Sequence, residues 1–199
     1  MNSRTGIPFR PAIAAIAIAV LASPLEARGN DLFHRVAEMV NDERQKLGLP
    51  RLTYDGRLEQ AALSQAQWMA KVGKMVHLRG EMPKRFEEWL ACEHHHANRV
   101  FKTGYLKWED LYTLSVKGNG ASIEAKQGAN DRCSEVIAFA SAGAGPVPRQ
   151  LPIVVPGWMN SPGHRATIVK TCWRDIGAAF AVARDGSTYY CVVFGNPVR

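Results

Sequence analysis

Apolar residues recur at helical spacing near the start of the chain, and this pattern predicts a first helix. Five of them share one side of that helix: Leu32, Val36, Met39, Val40 and Leu47. Asn30 suits the N-cap position, and Gly48 favours termination at the other end. The first helix is therefore expected to fill the segment between these two residues.

A second helix is predicted from Arg57 to Val72, where Gly73 ends it. Its inward side is formed by Leu58, Ala61, Ala62, Gln65, Ala66 and Met69. Because three of these six side chains are alanines, we expect the helix to lie close against another helix or a sheet.

A third helix is predicted from Pro83 to Phe101, since proline suits the first turn of a helix. Residues 102–132 show no clear period, and their polar part, 116–131, is interpreted as a loop. The segment 138–152 is rich in Gly, Ala and Pro, and it is interpreted as a second loop.

Two apolar runs near the carboxyl end predict a β-hairpin around Asp185-Gly186, with a two-residue turn of the primed type. The larger side chains of the first run share one face: Ile176, Ala178, Phe180 and Val182. Gly177, Ala179 and Ala181 make the other face small enough for a helix to pack closely. Helices followed by a hairpin indicate a layered α+β domain.

The amino end changes the expected location of the protein. Arg4 and Arg10 precede the short apolar run at 12–22, which is too short for a stable membrane-spanning helix. This arrangement predicts a signal peptide over residues 1–27, cleaved after Ala22 or Ala27. The remaining residues 28–199 are expected to form one domain that is periplasmic or secreted.

Composition limits the possible partners. The 199-residue chain is 46% hydrophobic and carries a formal net charge of +7, with both signs mixed along its polar segments. Such mixing is typical of solvated helix faces, so no specific nucleic-acid binding is expected.

The chain contains four cysteines: Cys92, Cys133, Cys172 and Cys191. An even number in an exported domain favours disulfides, and four cysteines allow three pairings. Closeness in sequence favours Cys172–Cys191 with Cys92–Cys133, whereas four unpaired thiols remain the alternative. No C-x-x-C pair is present, which argues against a structural zinc site or thioredoxin-like chemistry.

Several segments together resemble one family. They are "VNDERQKLG", "SEVIA", "GWMNSPGHRATIV" with "DIGAAFA", and "YYCVVFG", in that order between residues 33 and 196. In these features the chain resembles the CAP superfamily, also called the SCP domain, and especially its bacterial single-domain branch. The resemblance implies a three-layer α-β-α sandwich with a small antiparallel sheet that ends in the C-terminal hairpin.

The resemblance also implies a cleft with two histidines and an acid, which match His77, His164 and Glu135. Glu135 stands in Cys-Ser-Glu-Val, where the family has Gly-Glu-Asn, and Ser161 stands where eukaryotic members have a second glutamate. Two imidazoles and one carboxylate are a ligand set for zinc or another divalent metal. In the alternative, both histidines hydrogen-bond Glu135 and tie three segments together.

The local sequence explains how His164 is placed. Ser161 is predicted to cap a helix that begins at Pro162, and the positive end of its dipole favours a neutral His164.

The run His94-His95-His96 is interpreted as mostly solvent-facing. Successive helical residues point about 100° apart, so these three histidines cannot all reach one metal ion. One of these histidines reaching the cleft remains an alternative. Trp158 and Trp173 are interpreted as core residues.

Three functional hypotheses follow. The first is a non-enzymatic, monomeric binding protein whose cleft holds an apolar or envelope-derived ligand, since lipids and sterols are among the family's ligands. The second is a metal-dependent hydrolase that uses the same three residues, with Glu135 as general base. A serine hydrolase built on Ser134 or Ser161 is less favoured, because no G-x-S-x-G motif is present. The third is an interaction module that acts through its basic surface.

Overall fold

The structure is a computed structural model that describes residues 24–81, 83–117 and 120–197. Most of the predicted signal peptide, residues 1–23, lies outside the described residues, so the predicted cleavage sites stay predictions. In the described part of the chain, no helix has both the length and the apolar character needed to cross a membrane.

Within the described residues, six helices surround a four-stranded sheet in three layers, as the family resemblance implies. The helices are α1 (Pro24–Lys46), α2 (Gly56–Val72), α3 (Phe86–Ala91), α4 (His96–Lys102), α5 (Val147–Asn160) and α6 (Pro162–Ile168). The strands are β1 (Thr53–Tyr54), β2 (Tyr112–Lys117), β3 (Gly120–Ala125), β4 (Cys133–Ala140), β5 (Asp175–Val182) and β6 (Thr188–Gly195). The predicted α+β sandwich is confirmed.

The main sheet has the strand order β1-β5-β6-β4. The pairs β5–β6 and β6–β4 are antiparallel, whereas the two-residue strand β1 runs parallel to β5. The sheet is therefore mixed rather than purely antiparallel, and β4 forms one of its edges.

Helix α2 covers one face of the sheet at very short distance. Its six predicted inward residues are all buried. A Cβ atom added at Gly177 of β5 would lie 2.1 Å from the backbone nitrogen of Glu59. The small face predicted for this strand therefore accepts a helix backbone directly, and the expected close approach is confirmed.

Helices α1, α5 and α6 cover the opposite face. The buried residues there include Val36 and Val40 of α1, and Trp158 of α5. Trp173 is also fully buried and stacks on Phe194 with 6.0 Å between ring centroids. The interpretation of both tryptophans as core residues is confirmed.

Two motif residues of α1 fasten loops to this layer. The Asn41 side chain donates to the carbonyl of Leu52 at 3.0 Å and accepts from its N–H at 2.8 Å. Arg44 is buried and donates to the carbonyls of Ile168 and Lys170 at 2.6 and 2.9 Å. Asn41 and Arg44, which belong to the quoted segment "VNDERQKLG", therefore have a structural role.

Several predicted boundaries are wrong. Helix α1 already begins at Pro24, so Asn30 is helical rather than a cap, and Leu47 is exposed. The predicted third helix is two short helices, because residues 92–95 leave the helical path between α3 and α4. Its apolar residues Trp89 and Phe101 pack on Tyr112 of β2.

Both predicted loops contain regular structure. Within 116–131, β3 pairs antiparallel with β2. Within 138–152, β4 ends and α5 begins, with Pro152 and Pro156 inside the helix. Each proline removes a backbone donor, yet Leu151, Val154 and Val155 are buried, and this packing stabilises the helix.

The C-terminal hairpin is confirmed, but its turn differs from the prediction. The Ala183 N–H donates to the Ser187 carbonyl at 2.8 Å, which leaves a three-residue loop. A turn of type I′ needs positive φ at both central residues, and within the described residues positive φ is confined to glycines such as Gly186, at 82°.

All four cysteines are free thiols in the structure, so the predicted pairing is not formed. Cys191 is buried on β6 opposite Ile137, whereas Cys133 lies opposite Gly195, four residues away along the strand. Cys172 lies outside the regular elements and is partly exposed. The sheet thus holds the two buried thiols apart, and closeness in sequence was a poor guide to pairing.

Candidate functional site

Glu135 lies at the centre of the site, on β4, with its side chain only 1% exposed. Oε2 accepts a hydrogen bond from Nη2 of Arg99 at 2.8 Å, and Oε1 lies 3.0 Å from Nδ1 of His77. Both oxygens of this carboxylate are therefore engaged by side chains from two other segments.

Arg99 is the residue that the sequence did not reveal. It comes from α4, is as deeply buried as Glu135, and also donates to the carbonyl of Glu93 at 2.9 Å. Its Nε has no partner within the described residues. No motif signalled it, because only the fold brings α4 against β4.

The charges around Glu135 keep it ionised. Burial by itself raises the pKa of a carboxyl group, but the charge of Arg99 and the hydrogen bond from His77 lower the pKa of Glu135 to about 2. At neutral pH the carboxylate accepts both bonds, so Nδ1 of His77 carries the proton and the His77–Glu135 contact is a donor–acceptor pair.

His77 is the exposed member of its pair with Glu135, and 49% of its side chain is exposed. The segment that carries it is fixed by Gln65, which donates to the carbonyl of Val76 at 2.6 Å. A backbone bond from Arg79 to the carbonyl of His94, at 3.0 Å, fixes its other side. Nε2 of His77 has no hydrogen bond within the described part of the chain.

His164 lies on α6 and faces Ser161, whose Oγ is 2.9 Å from its Nδ1. Ser161 occupies the predicted N-cap position, but its hydroxyl makes no capping bond, which corrects the sequence prediction. Burial and the nearby charge of His77 lower the pKa of His164, so a neutral imidazole is favoured, as predicted from the helix end.

The three successive histidines are not solvent-facing, which corrects their interpretation. His94 is buried, and its Nδ1 lies 2.7 Å from the carbonyl oxygen of Arg79. His95 caps α4 by accepting from the Ala97 N–H at 3.3 Å. Burial lowers the pKa of His96 to about 3, and the charge of Glu135 acts on both His95 and His96. The alternative that part of this run reaches the cleft is therefore the better description.

A groove of about 500 Å³ opens beside His164 and Ser161. Its walls are almost entirely apolar, and they include Met75, Ile137, Phe139, Ile153, Val154 and Trp158. His77 and Glu135 lie outside this lining. The structure thus separates a charged cluster around Glu135 from an apolar groove, and His164 borders both.

The described residues contain no group of three or more His, Cys, Asp and Glu side chains placed to hold one metal ion. Glu135 is already engaged by Arg99 and His77, so its oxygens do not fit a ligand role. The imidazoles of His77 and His164 are the remaining candidate ligands, and metal binding stays a prediction.

Comparison with known proteins places the chain. The model of the cysteine-rich secretory protein family, CAP, matches residues 37–194. The chain therefore belongs to the CAP family, as its sequence motifs indicated. No curated protein matches the chain.

Solved structures with the same fold come from bacteria. An outer surface protein of Borrelia burgdorferi has a TM-score of 0.56 at 19% identity, covering 84% of this chain and 94% of its own. An extracellular protein containing an SCP domain, from Bacillus anthracis, has a TM-score of 0.56 at 15% identity, over 88% of this chain and 44% of its own. At these identities the likeness shows the fold alone.

Proposed function

We propose that this CAP-domain protein is an exported, non-enzymatic binding protein that holds an apolar or envelope-derived ligand in the groove beside His164. The observation that carries the proposal is the groove itself, about 500 Å³ in volume and lined mainly by apolar side chains. Pockets of this size and composition are typical of small-molecule sites. Its structural relatives, an outer surface protein and an extracellular protein, support export.

The edges of the groove support the same function. Met75, Phe139 and Ile153 are large apolar residues that are 47–68% exposed, and all three line the groove. Clustered exposed apolar residues usually mark a binding surface. At one end, Ser161 and the neutral His164 supply polar groups that orient a ligand without requiring a charged partner.

A divalent metal such as zinc is proposed as an additional occupant of the charged end. His77 and His164 would hold it through Nε2, and Glu135 would orient His77 from behind, as carboxylates do for metal-binding histidines. A bound metal would supply an electrophilic centre for the polar end of a ligand.

The site gives little support to the hydrolase hypothesis. A carboxylate with a pKa of about 2 is a weak general base, and Glu135 is fully engaged by Arg99 and His77. The basic-surface hypothesis likewise has no specific observation behind it.

Filling the groove tests the proposed function. A Cβ at Gly157 meets no atom within 4 Å, so Gly157→Leu extends into the groove without a clash on the backbone. We expect lauric acid, whose alkyl chain would enter the groove while its carboxylate stays in solvent, to displace the fluorescent dye Nile red from the wild type. The variant should bind both at least tenfold more weakly. Gly56→Leu, at another unobstructed glycine in α2, is the matched control. Equal binding by Gly157→Leu and wild type would refute the groove as the site.

Calorimetric titration with zinc tests the metal site separately. We expect micromolar or tighter binding by the wild type, and its loss in the His77→Ala/His164→Ala double variant. His34→Ala removes an exposed histidine elsewhere and should bind zinc like the wild type. Equal binding by the double variant would assign the metal to other residues.

A further inference from the structure

The outer edge of β4 presents backbone groups to the groove. The Ala183 N–H donates to the Ser187 carbonyl, and the Asn196 N–H donates to the Arg132 carbonyl, both at 2.8 Å. These two bonds show which neighbour each residue of β6 pairs with: odd-numbered residues hydrogen-bond to β5, and even-numbered residues hydrogen-bond to β4. Ile137 and Phe139 of β4 lie opposite Cys191 and Tyr189, which are odd-numbered residues of β6. The N–H and C=O groups of Ile137 and Phe139 therefore point away from β6.

Part of this edge is already used. Nε1 of Trp158 donates to the carbonyl of Ile137 at 2.8 Å, and a hydrogen bond joins His96 to the backbone of Cys133. Within the described residues, no hydrogen bond reaches the N–H or C=O of Phe139, or the N–H of Ile137. Two donors and one acceptor therefore remain open in a short stretch of strand.

The groove lies against this edge and not against one face of the sheet. Successive side chains of a strand point to opposite faces, so a pocket on one face would be lined by every second residue. Here four consecutive residues line the groove: Ile137, Ala138, Phe139 and Ala140. The space therefore adjoins the backbone of β4 itself.

Shape and charge restrict what can bind there. Helix α5 forms one wall through Ile153 and Val154, and Met75 stands on another side. Such walls admit a single extended chain but obstruct a second copy of this protein, whose edge strand is attached to a sheet. The lining contains no Asp, Glu, Lys or Arg, and burial of an unpaired charge is costly.

We propose that the groove binds an extended, uncharged peptide segment of a partner protein, which joins the sheet as a fifth strand beside β4. The segment exchanges hydrogen bonds with the backbone of Phe139 and carries no charged side chain. Its alternate apolar side chains enter the groove. The proposal rests on the groove of the proposed function and names a peptide as its occupant.

Backbone-specific probes test the proposal. The first is acetyl-Thr-Val-Thr-Val-Thr-amide. The second is its twin N-methylated at all five residues, which has the same side chains but no N–H donor except its C-terminal amide. On the protein, Phe139→Pro removes the outward N–H, which an edge strand tolerates, and Phe139→Leu is the control that keeps it. Binding is measured by calorimetry, beside lauric acid.

We expect the wild type and Phe139→Leu to bind the unmodified peptide, and Phe139→Pro to bind it about tenfold more weakly or worse. The N-methylated twin should not bind, which decides the question on the wild type even if Phe139→Pro fails to fold. Equal binding of both peptides would overturn strand addition. Binding of lauric acid without the peptide would overturn this inference alone, whereas binding of neither would also overturn the proposed function.

Discussion

Glu135 and Arg99 form an ion pair whose two side chains are each 1% exposed. Such a pair costs desolvation energy when it forms, and breaking one half leaves the other charge buried without a partner. At the scale of single residues, the charged end of the site is therefore a structural element as well as a candidate binding element.

Removal of Arg99 should destabilise the protein strongly. We expect Arg99→Met to lower the free energy of unfolding by about 3–5 kcal/mol, because it leaves the buried Glu135 carboxylate without the positive charge that balances it. Urea denaturation measures the effect, and the double variant Arg99→Met/Glu135→Leu should recover much of the loss. Arg85→Met, at an arginine 77% exposed, serves as control with a change below about 1 kcal/mol. A loss of similar size at both arginines would contradict the pairing.

His96, which is partly buried, should make stability depend on pH. Because the pKa of His96 is lowered to about 3, the folded state binds fewer protons than the unfolded state below pH 6.5. Its contribution is complete above that pH and is lost as the pH falls. We expect His96→Gln to reduce the loss of stability between pH 7 and pH 5 by roughly 1–2 kcal/mol. Urea midpoints at both pH values measure it, and an unchanged pH dependence would place His96 in solvent.

The sequence predicted single residues unevenly. His77, Glu135 and His164 were identified from motifs, and the structure brings His77 and Glu135 into contact. Arg99 was missed because its partner is 36 residues away and belongs to another element. The hydroxyl of Ser161 was assigned to the helix end, but it faces His164, a choice that local sequence does not determine.

At the scale of elements, the close contact between α2 and β5 determines how the layers fit. The backbone of Leu58 and Glu59 passes directly over Gly177, where a side chain has no room. Helix α5 lies on the opposite face and forms a wall of the groove. The contact between α2 and Gly177 is too short for any residue other than glycine, whereas α5 leaves the space of the groove beside the sheet.

A methyl group at Gly177 should therefore be costly. We expect Gly177→Ala to lower the free energy of unfolding by about 2–3 kcal/mol, since the helix or the strand must shift to accommodate it. Gly157→Ala is the matched control, because its Cβ meets no atom within 4 Å and it should stabilise α5 by about 0.5–1 kcal/mol. Thermal unfolding of both variants measures the difference, and a neutral Gly177→Ala would contradict the close contact.

Hydrophobic periodicity predicted the elements whose apolar positions repeat regularly. It failed for the elements that are stabilised by tertiary contacts. All six inward residues of α2 were identified, since small and apolar positions repeat at helical spacing. Helix α5 was missed because Pro152 and Pro156 argue against a helix, and burial of its apolar side compensates. The β2–β3 pair was missed although the sequence Gly-Asn at 118–119 is a typical turn signal, because the flanking residues looked polar.

At the scale of the whole molecule, the CAP motifs predicted the three layers, and both the family match and the fold confirm them. Without those motifs, chain length and the order of predicted elements indicated only one layered α+β domain. The pairing of cysteines was not predictable, because it depends on where the strands hold Cys133 and Cys191 within the core.

Thiol titration tests this arrangement of the cysteines. We expect unreduced protein, denatured in guanidinium chloride, to release four equivalents of thionitrobenzoate from Ellman's reagent, since all four thiols are free. Burial raises the pKa of Cys133 to about 12, so this thiol should react slowly before denaturation. Release of two equivalents or fewer would show that disulfides form.

The central claim is that an apolar ligand occupies the groove between β4 and α5. Trp158 lines that groove, and its Nε1 donates to the carbonyl of Ile137 at 2.8 Å. Trp173 is buried elsewhere, with its Nε1 bonded to the carbonyl of Thr167 at 2.7 Å. The most direct measurement is a ¹H–¹⁵N NMR titration with lauric acid, with both indole signals assigned by Trp→Phe variants. We expect a saturable shift of the Trp158 signal and an unmoved Trp173 signal. Saturable binding that leaves Trp158 unmoved would contradict it.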